Sequence, residues 1–395
     1  MKGNTCRVLA LCAVIAAPAA AGQNAQEPRE PQPPPPVFEL IPEAHIQLDW
    51  RAYPESSVAP GTERLEFNTF EVRRMRAGAT GRWRGARFEL TLDPQDVDGT
   101  LVKDAYVEVR PGSYEIRFGQ FKPPGSRDYG TSARRHDFLE RTALGGSLSA
   151  QRDLGVSLHG DIGQHVDYDV GVFAGDNNGA SSRSGPTGAG RLEWEPRGDL
   201  ILAMYGSEGR LRAVESDPEN GLNARLSSGY RFFENVYVQG RRTRFGGDIE
   251  WSPGPLQFTV ETMRVRDERR EQGVDFDTLS PLVGVAANFT TRWRFATRRD
   301  VVLRYEYVGF DDAGPETDLA SVRPRAADFR ARSAQAITVG GSWGVTPWLR
   351  LMGNAGVEWF SDARTAPNAG VNRGYWTLGT RLQLELPRIL GKRVR

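Results

Sequence analysis

The chain has 395 residues, with 51 Lys and Arg against 50 Asp and Glu and a formal net charge of +1. That balance leaves no basic footprint for nucleic acid, and a mean hydropathy of −0.50, with no run near the roughly 20 apolar residues of a membrane helix, excludes a helical span. It does not exclude a barrel, whose strands need only about 10 residues with every second one apolar.

Residues 1–21 read as a secretory signal peptide: Lys2 and Arg7 are basic, Val8 to Ala17 is apolar, and Ala19-Ala20-Ala21 supplies a small-residue cleavage site. A lipoprotein signal through LALC (9–12) is the rival reading, disfavoured by bulky Leu11 and the early Cys12. Cys6 and Cys12 both fall in the signal, so the mature chain has no disulfide framework and no thiolate site. Its Lys and Arg fall to 49 against 50 acids, a net charge near −1, so any anion preference must come from where the arginines sit. In the mature chain lysine is confined to Lys103, Lys122 and Lys392. Arginine-favouring codon usage and selection for oxyanion-gripping forks both account for that.

Residues 22–44 carry PREPQPPPP and Pro42, and predict an extended periplasmic linker. From His45 onward a period of two recurs near 45–53, 68–83, 86–93, 102–110, 113–121, 153–162, 165–174, 187–195, 199–206, 223–231, 242–252, 255–266, 282–294, 300–310, 335–345, 348–360 and 373–386. Bacterial barrels close on an even number, so the expectation is 16 strands, with 223–231 the weakest of these runs. RPGS (110–113), EPRGD (195–199), SPGP (252–255) and VTPW (345–348) are tight turns; 122–152, 175–186, 207–222, 267–281 and 311–334 are long loops. Short turns at one end and long loops at the other is the outer-membrane pattern.

The two faces of each strand differ sharply. Val107, Ile116 and Leu382 stand on apolar faces, with Trp83, Trp194, Trp251, Trp343, Trp359 and Trp376 toward strand ends, as interfacial girdles require. The opposite faces carry Arg74, Arg76, Arg82, Arg110, Arg117, Arg191, Arg244, Arg304, Arg350 and Arg381. They also carry Asp104, Glu108, Glu115, Glu193, Asp248, Glu250, Glu261, Glu306 and Glu358, so many lumen arginines should pair with lumen acids. Arg74 and Arg76 have no acid between them on their face. The expected fold is an all-β transmembrane antiparallel β-barrel over 45–386, followed by a tail, 387–395.

The same residues carry a resemblance. FEVRRMRAGATGR (70–82), LVKDAYVEVRPGSYEIRFGQFKPPG (101–125), DFLERT (137–142) and RDLGVSLHGDI (152–162) resemble, in order, segments of the phosphate-selective porin O and P family; RFGGDIEW (244–251) and RLQLEL (381–386) continue the likeness loosely. The resemblance implies a 16-stranded trimeric porin in the bacterial outer membrane, with an inward-folded constriction loop. It matches Arg74, Arg76 and Arg117 to lumen positions and Lys122 to Arg152 to the loop. Within that loop Arg127, Arg134, Arg135 and Arg141, with Lys122, are candidates for the ion path, and Asp128, Asp137 and Glu140 for neutralising them. Two features depart from the family pattern: few lysines, and a last strand ending near Leu386 rather than on an aromatic residue.

The expected function is diffusion of small, phosphate-like anions, with anions and outer-membrane lipid as partners and no cofactor or metal. A charge-balanced general diffusion porin and a non-conducting structural barrel are the alternatives. The chain has no HExxH, P-loop or GxSxG motif. Asp153, Ser157, His159 and Asp161 share one face, but side chains spaced along one strand point in parallel and assemble a triad poorly, so no catalytic residue is expected.

Overall fold

The computed structural model describes residues 38–52, 68–95, 101–175, 185–212, 226, 238–270, 278–311, 333–361 and 374–386. They form sixteen strands: β1 (Glu39–Ala52), β2 (Asn68–Trp83), β3 (Ala86–Leu92), β4 (Val102–Val109), β5 (Tyr114–Phe121), β6 (Asp153–Ile162), β7 (Val166–Phe173), β8 (Gly185–Arg197), β9 (Leu200–Arg212), β10 (Val238–Trp251), β11 (Leu256–Arg270), β12 (Thr278–Ala296), β13 (Arg299–Phe310), β14 (Ser333–Thr346), β15 (Leu349–Ser361) and β16 (Gly374–Glu385). Each pairs antiparallel with the next, and β16 closes on β1 through His45↔Glu385 to Ala52↔Leu378. Closure leaves no free sheet edge, the condition for a sheet to sit in lipid.

Every second connection, beginning with β2–β3, spans two to four residues, and the others span seven to 31. The β2–β3 turn uses Arg84 and Gly85, both with positive φ (46° and 83°), the conformation a two-residue hairpin needs to match strand twist. At this short-turn end six of the nine tryptophans point outward and are exposed: Trp83, Trp194, Trp251, Trp293, Trp343 and Trp348. Val107 and Phe118 are likewise exposed outward, whereas inward Gln47, Asp49, Arg244, Glu306 and Arg381 are buried. The usual soluble pattern is inverted, as it must be when lipid surrounds the wall.

The strands differ from the expected spans in three respects. β1 begins at Glu39, so residues 39–44 are barrel wall rather than linker. Among the described residues, Pro42 is paired with β2 (Pro42↔Ala79), and the pairing with β16 starts at His45. β9, β11 and β12 run deep into the stretches expected as loops 207–222 and 267–281. The outward faces of β9 and β11 turn charged toward these stretches, at Glu208 and Arg210 and from Arg264 and Arg266 to Glu268, which removes the apolar alternation without ending the hydrogen-bond ladder. The run 223–231, apart from Leu226, the segments 1–37 and 387–395, and most of the remaining long loops lie outside the described residues.

Two irregularities turn extra cations inward. The β1–β2 register steps from Gln47↔Arg74 to Leu48↔Val72, leaving Arg73 unpaired in a bulge. Phe70 and Val72 point out, Arg73 and Arg74 both reach inward, and Met75 points out again. A second step, from Thr91↔Asp104 to Leu92↔Val102, leaves Lys103 extra, and its side chain is buried beside Asp93 and Asp104. A bulge re-aims a side chain at the cost of one ladder position.

Candidate functional site: a loop-narrowed lumen

The segment 122–152 leaves β5 and crosses the inside of the barrel before entering β6. It holds a four-residue helix, α1 (Arg127–Gly130), capped by Ser126, whose hydroxyl accepts from the Tyr129 N–H, and a π-helical turn at Leu144–Leu148. Leu144 and Leu148 are buried, as are Met263, Val265, Leu282 and Ala286 on the inward faces of β11 and β12, the strands the turn touches. Loop carbonyls and amides that water would otherwise satisfy are met by wall side chains. Gln47 donates to the Ala133 carbonyl at 3.1 Å, Gln383 to Arg134 at 3.0 Å, Arg350 to His136 at 2.9 Å, Arg304 to Glu140 at 3.0 Å and Arg244 to Leu148 at 2.7 Å. Glu261 accepts the amides of Arg127 (2.8 Å) and Asp128 (3.1 Å), and Glu306 that of Ala143 (2.7 Å).

One ionic node dominates the anchoring. The Glu140 carboxylate accepts from Arg51 at 2.6 Å, Arg73, and Arg74 at 3.3 Å, with Arg381 at 4.0 Å. Burial alone would raise its pKa, but Arg73, Arg74 and Arg51 outweigh burial and hold it well below the usual carboxylate range. Inside the loop, Lys122 donates to the carbonyls of Tyr129 (2.7 Å), Gly130 (3.1 Å) and Thr131 (3.1 Å). Arg141 donates to those of Asp128 (3.1 Å), Tyr129 (3.4 Å) and Thr131 (2.5 Å). Burial, reinforced by Arg141 and Lys122, pushes His136 well below its ordinary pKa, so it is neutral.

Beside the loop lies a cavity of about 1180 Å³. Its lining includes ten Lys and Arg and nine Asp and Glu, so the totals nearly cancel and position decides the field. Toward β1–β4 and the loop's midpoint stand Arg76, Lys122, Arg134, Arg135 and Arg152, with Glu43, Glu89, Asp104 and Asp137 among them. Toward β7, β8 and β11 stand Asp167, Asp169, Glu193 and Glu261, with Arg191.

A closed 16-strand barrel with one long loop inside it is the architecture of a porin, and the sequence agrees: a model of the family "phosphate-selective porin O and P" matches residues 46–385. The chain belongs to this family. No curated protein matches it. Solved structures it is similar to include a loop-deletion form of OmpT, an outer membrane protein of Vibrio cholerae (13% identity, 89% of this chain and 100% of that one, TM-score 0.62). They also include the outer membrane channel DcaP of Acinetobacter baumannii (12%, 88% and 97%, 0.55) and Salmonella typhi OmpF in complex with daunomycin (10%, 88% and 97%, 0.54). At these identities the likeness is one of fold. The family places this porin in the bacterial outer membrane as a channel rather than an enzyme.

Of the eight candidate cations in the porin, six line the cavity: Arg76, Arg117, Lys122, Arg127, Arg134 and Arg135. Arg76 pairs with Asp93 at 2.8 Å, Arg117 forks onto one oxygen of Glu108 (3.0 and 2.7 Å), Arg127 pairs with Glu250 and Arg134 with Glu43 at 2.9 Å. Arg135 is exposed, and its side chain has no partner among the described residues. Arg74 and Arg141 are outside the cavity lining: Arg74 is 8% exposed, donating to Gln47 at 2.9 Å and to Glu140, and Arg141 holds loop carbonyls. No acid lies between Arg74 and Arg76 on their own strand face, but acids reach them from elsewhere, Glu140 from the loop and Asp93 from just past β3. Glu140 therefore neutralises wall arginines, not the loop's own. Arg73 and Lys103 went unforeseen as inward cations. The signal for Arg73 is the change of apolar phase from Phe70 and Val72 to Met75 and Ala77.

Proposed function

We propose that this porin passes small anions, of the phosphate-like class that its family's name describes, through the space between the loop and the β1–β8 wall. The observation that carries the reading is the cationic side of the cavity. Arg76, Lys122, Arg134, Arg135 and Arg152 meet Glu43, Glu89, Asp104 and Asp137 there, a small cationic excess, and Arg135 projects without a partner among the described residues. An ion entering a narrow lumen exchanges hydration for fixed charge. A line of moderate cationic sites lowers that step for anions and raises it for cations, while allowing release. Arginine forks suit the paired oxygens of phosphate and carboxylate. In this reading Arg135, Arg134, Arg76, Arg117, Lys122 and Arg127 border the ion path, and Arg74 and Arg141 hold the loop that shapes it.

The near-equality of ten basic and nine acidic lining residues favours a second reading, a general diffusion porin with weak selectivity. The two separate on one variant in a planar bilayer. Arg135 has no partner to strand among the described residues, so Arg135→Glu reverses one charge at little cost to the fold. Anion selectivity predicts a marked shift of reversal potential toward cations and a loss of chloride-current block by added phosphate. An unchanged ion preference supports the general porin. The assembly proposed is a homotrimer, in line with a trimer form of the similar OmpT; native mass measurement of the detergent-extracted protein tests it. Residues 1–21 are proposed to be removed on export and 22–38 to form a periplasmic spacer.

A further inference from the structure

The outer wall is apolar over most of its circumference. Among the described side chains, the outward-facing charges away from the short-turn end gather on three adjacent strands, β9–β11. Arg210 stands directly across from Arg241, Thr243 lies between Glu208 and Arg266, and Arg264 lies beside Phe245 on β10 and Val285 on β12. Arg241 pairs with Glu208 at 2.6 Å, and Arg266 with Glu268 at 3.8 Å. Arg210 and Arg264 are exposed and have no partner among the described residues. Four arginines thus meet two glutamates on a face whose other neighbours are lipid-facing hydrophobics, Phe245 and Val285.

Their height is fixed by register. Trp251 marks the short-turn girdle on β10; Phe245, level with Arg264, is six residues further along, and Arg241 is ten. At about 3.3 Å per residue and a strand tilt near 40°, these lie about 15 Å and about 25 Å above the girdle, against an apolar band about 25 Å tall. Arg241 and, across from it, Arg210 therefore reach the far interface, and the arms of Arg264 and Arg266 reach it by extending upward. A charged side chain on the lipid face is tolerated only near an interface. The long-loop end of an outer-membrane barrel is its extracellular end, so the headgroups met here belong to the outer leaflet. Two guanidinium forks lacking carboxylates, flanked by two more, match a headgroup carrying several phosphates, while Phe245 and Val285 lie where its acyl chains begin.

We propose that the upper outer face of β9–β11 is a docking site for the phosphorylated saccharide headgroup of outer-leaflet lipid. The site is independent of the lumen and of its ion preference.

The test is native mass spectrometry of the full barrel, titrated in detergent with bis-phosphorylated lipid A, dephosphorylated lipid A and phosphatidylglycerol. The variants are Arg210→Ala/Arg264→Ala/Arg266→Ala and the matching triple Arg→Lys, each checked for folding by heat-modifiable gel migration and for unchanged single-channel conductance. Loss of several charge-assisted phosphate bonds weakens lipid A binding about tenfold or more in the alanine triple, whereas the lysine triple stays within about threefold of wild type. Dephosphorylated lipid A binds as weakly to wild type as lipid A binds to the alanine triple. Equal lipid A binding by wild type and the alanine triple overturns the proposal. So does equal binding of the dephosphorylated lipid, which removes the phosphate, or of phosphatidylglycerol, which makes the patch a general anion attractor. Loss of the oligomer in a folded alanine triple also overturns it, by placing the patch in a subunit interface.

Discussion

Replacing Glu140 by Gln keeps the shape of the side chain and removes the charge on which Arg51, Arg73 and Arg74 converge. Arg51 would keep Asp49 and Glu71 and Arg381 would keep Asp49, while Arg73 and Arg74 would lose this carboxylate. Removing one partner of a buried ionic cluster costs about 3–5 kcal/mol, because the remaining charges stay buried. The cost falls on loop docking rather than on the strand ladder, so it should appear as local opening. At about 1.36 kcal/mol per decade, hydrogen exchange of loop amides 133–143 should accelerate by roughly 150- to 5000-fold in Glu140→Gln, with exchange of the strands unchanged. The partner substitution behaves differently. Arg73→Gln leaves Arg51 and Arg74 on the carboxylate, and Arg73 is itself a third exposed, so its loss costs about 1 kcal/mol or less. pH adds a further check. The native Glu140 carboxyl is held well below the unfolded value near 4.3, so its contribution is complete above that pH and is lost as pH falls toward the depressed native value. Wild-type loop protection should therefore persist from pH 7 to about 4 and fall below it, and Glu140→Gln should lack that transition. Loop exchange in Glu140→Gln within threefold of wild type would refute the idea that this node holds the loop.

Two further outcomes follow from the same geometry. Lys122→Met removes a cation from three loop carbonyls, two of which Arg141 also serves, so loop docking should weaken by about 1–3 kcal/mol and single-channel recordings should show added open-state noise. Arg117→Met leaves buried Glu108 with only Arg87 at 3.6 Å and should lower stability by about 3 kcal/mol, whereas Arg117→Met with Glu108→Gln should recover most of it; a denaturant series on both variants reads the difference.

The wall was legible because each strand repeats one physical demand, apolar toward lipid and polar toward water, with a period of two. Val107, Phe118 and Leu382 carry that signal residue by residue. It weakened where the demand itself changed. Near the long-loop ends of β9 and β11 the outward residues turn charged, and Glu208, Arg210 and Glu268 looked like loop. It shifted phase at Arg73 and Lys103, where one extra residue resets the alternation. The composition of the loop marked it as a candidate for the lumen, but its partners could not be read. Glu140 meets arginines 66 or more residues away on β1 and β2, a pairing set by barrel closure and by where the loop crosses, not by local sequence.

The most direct test of the anion channel is the reversal potential of the reconstituted porin across a tenfold KCl gradient, with dilute salt on one side. The cationic side of the cavity predicts a potential of anion-selective sign, with about 59 mV as the limit for perfect selectivity. Raising both salt concentrations toward 1 M should shrink it, as the Debye length falls from about 10 Å to 3 Å. A cation-selective sign at low salt, or no conductance at all, would contradict the account.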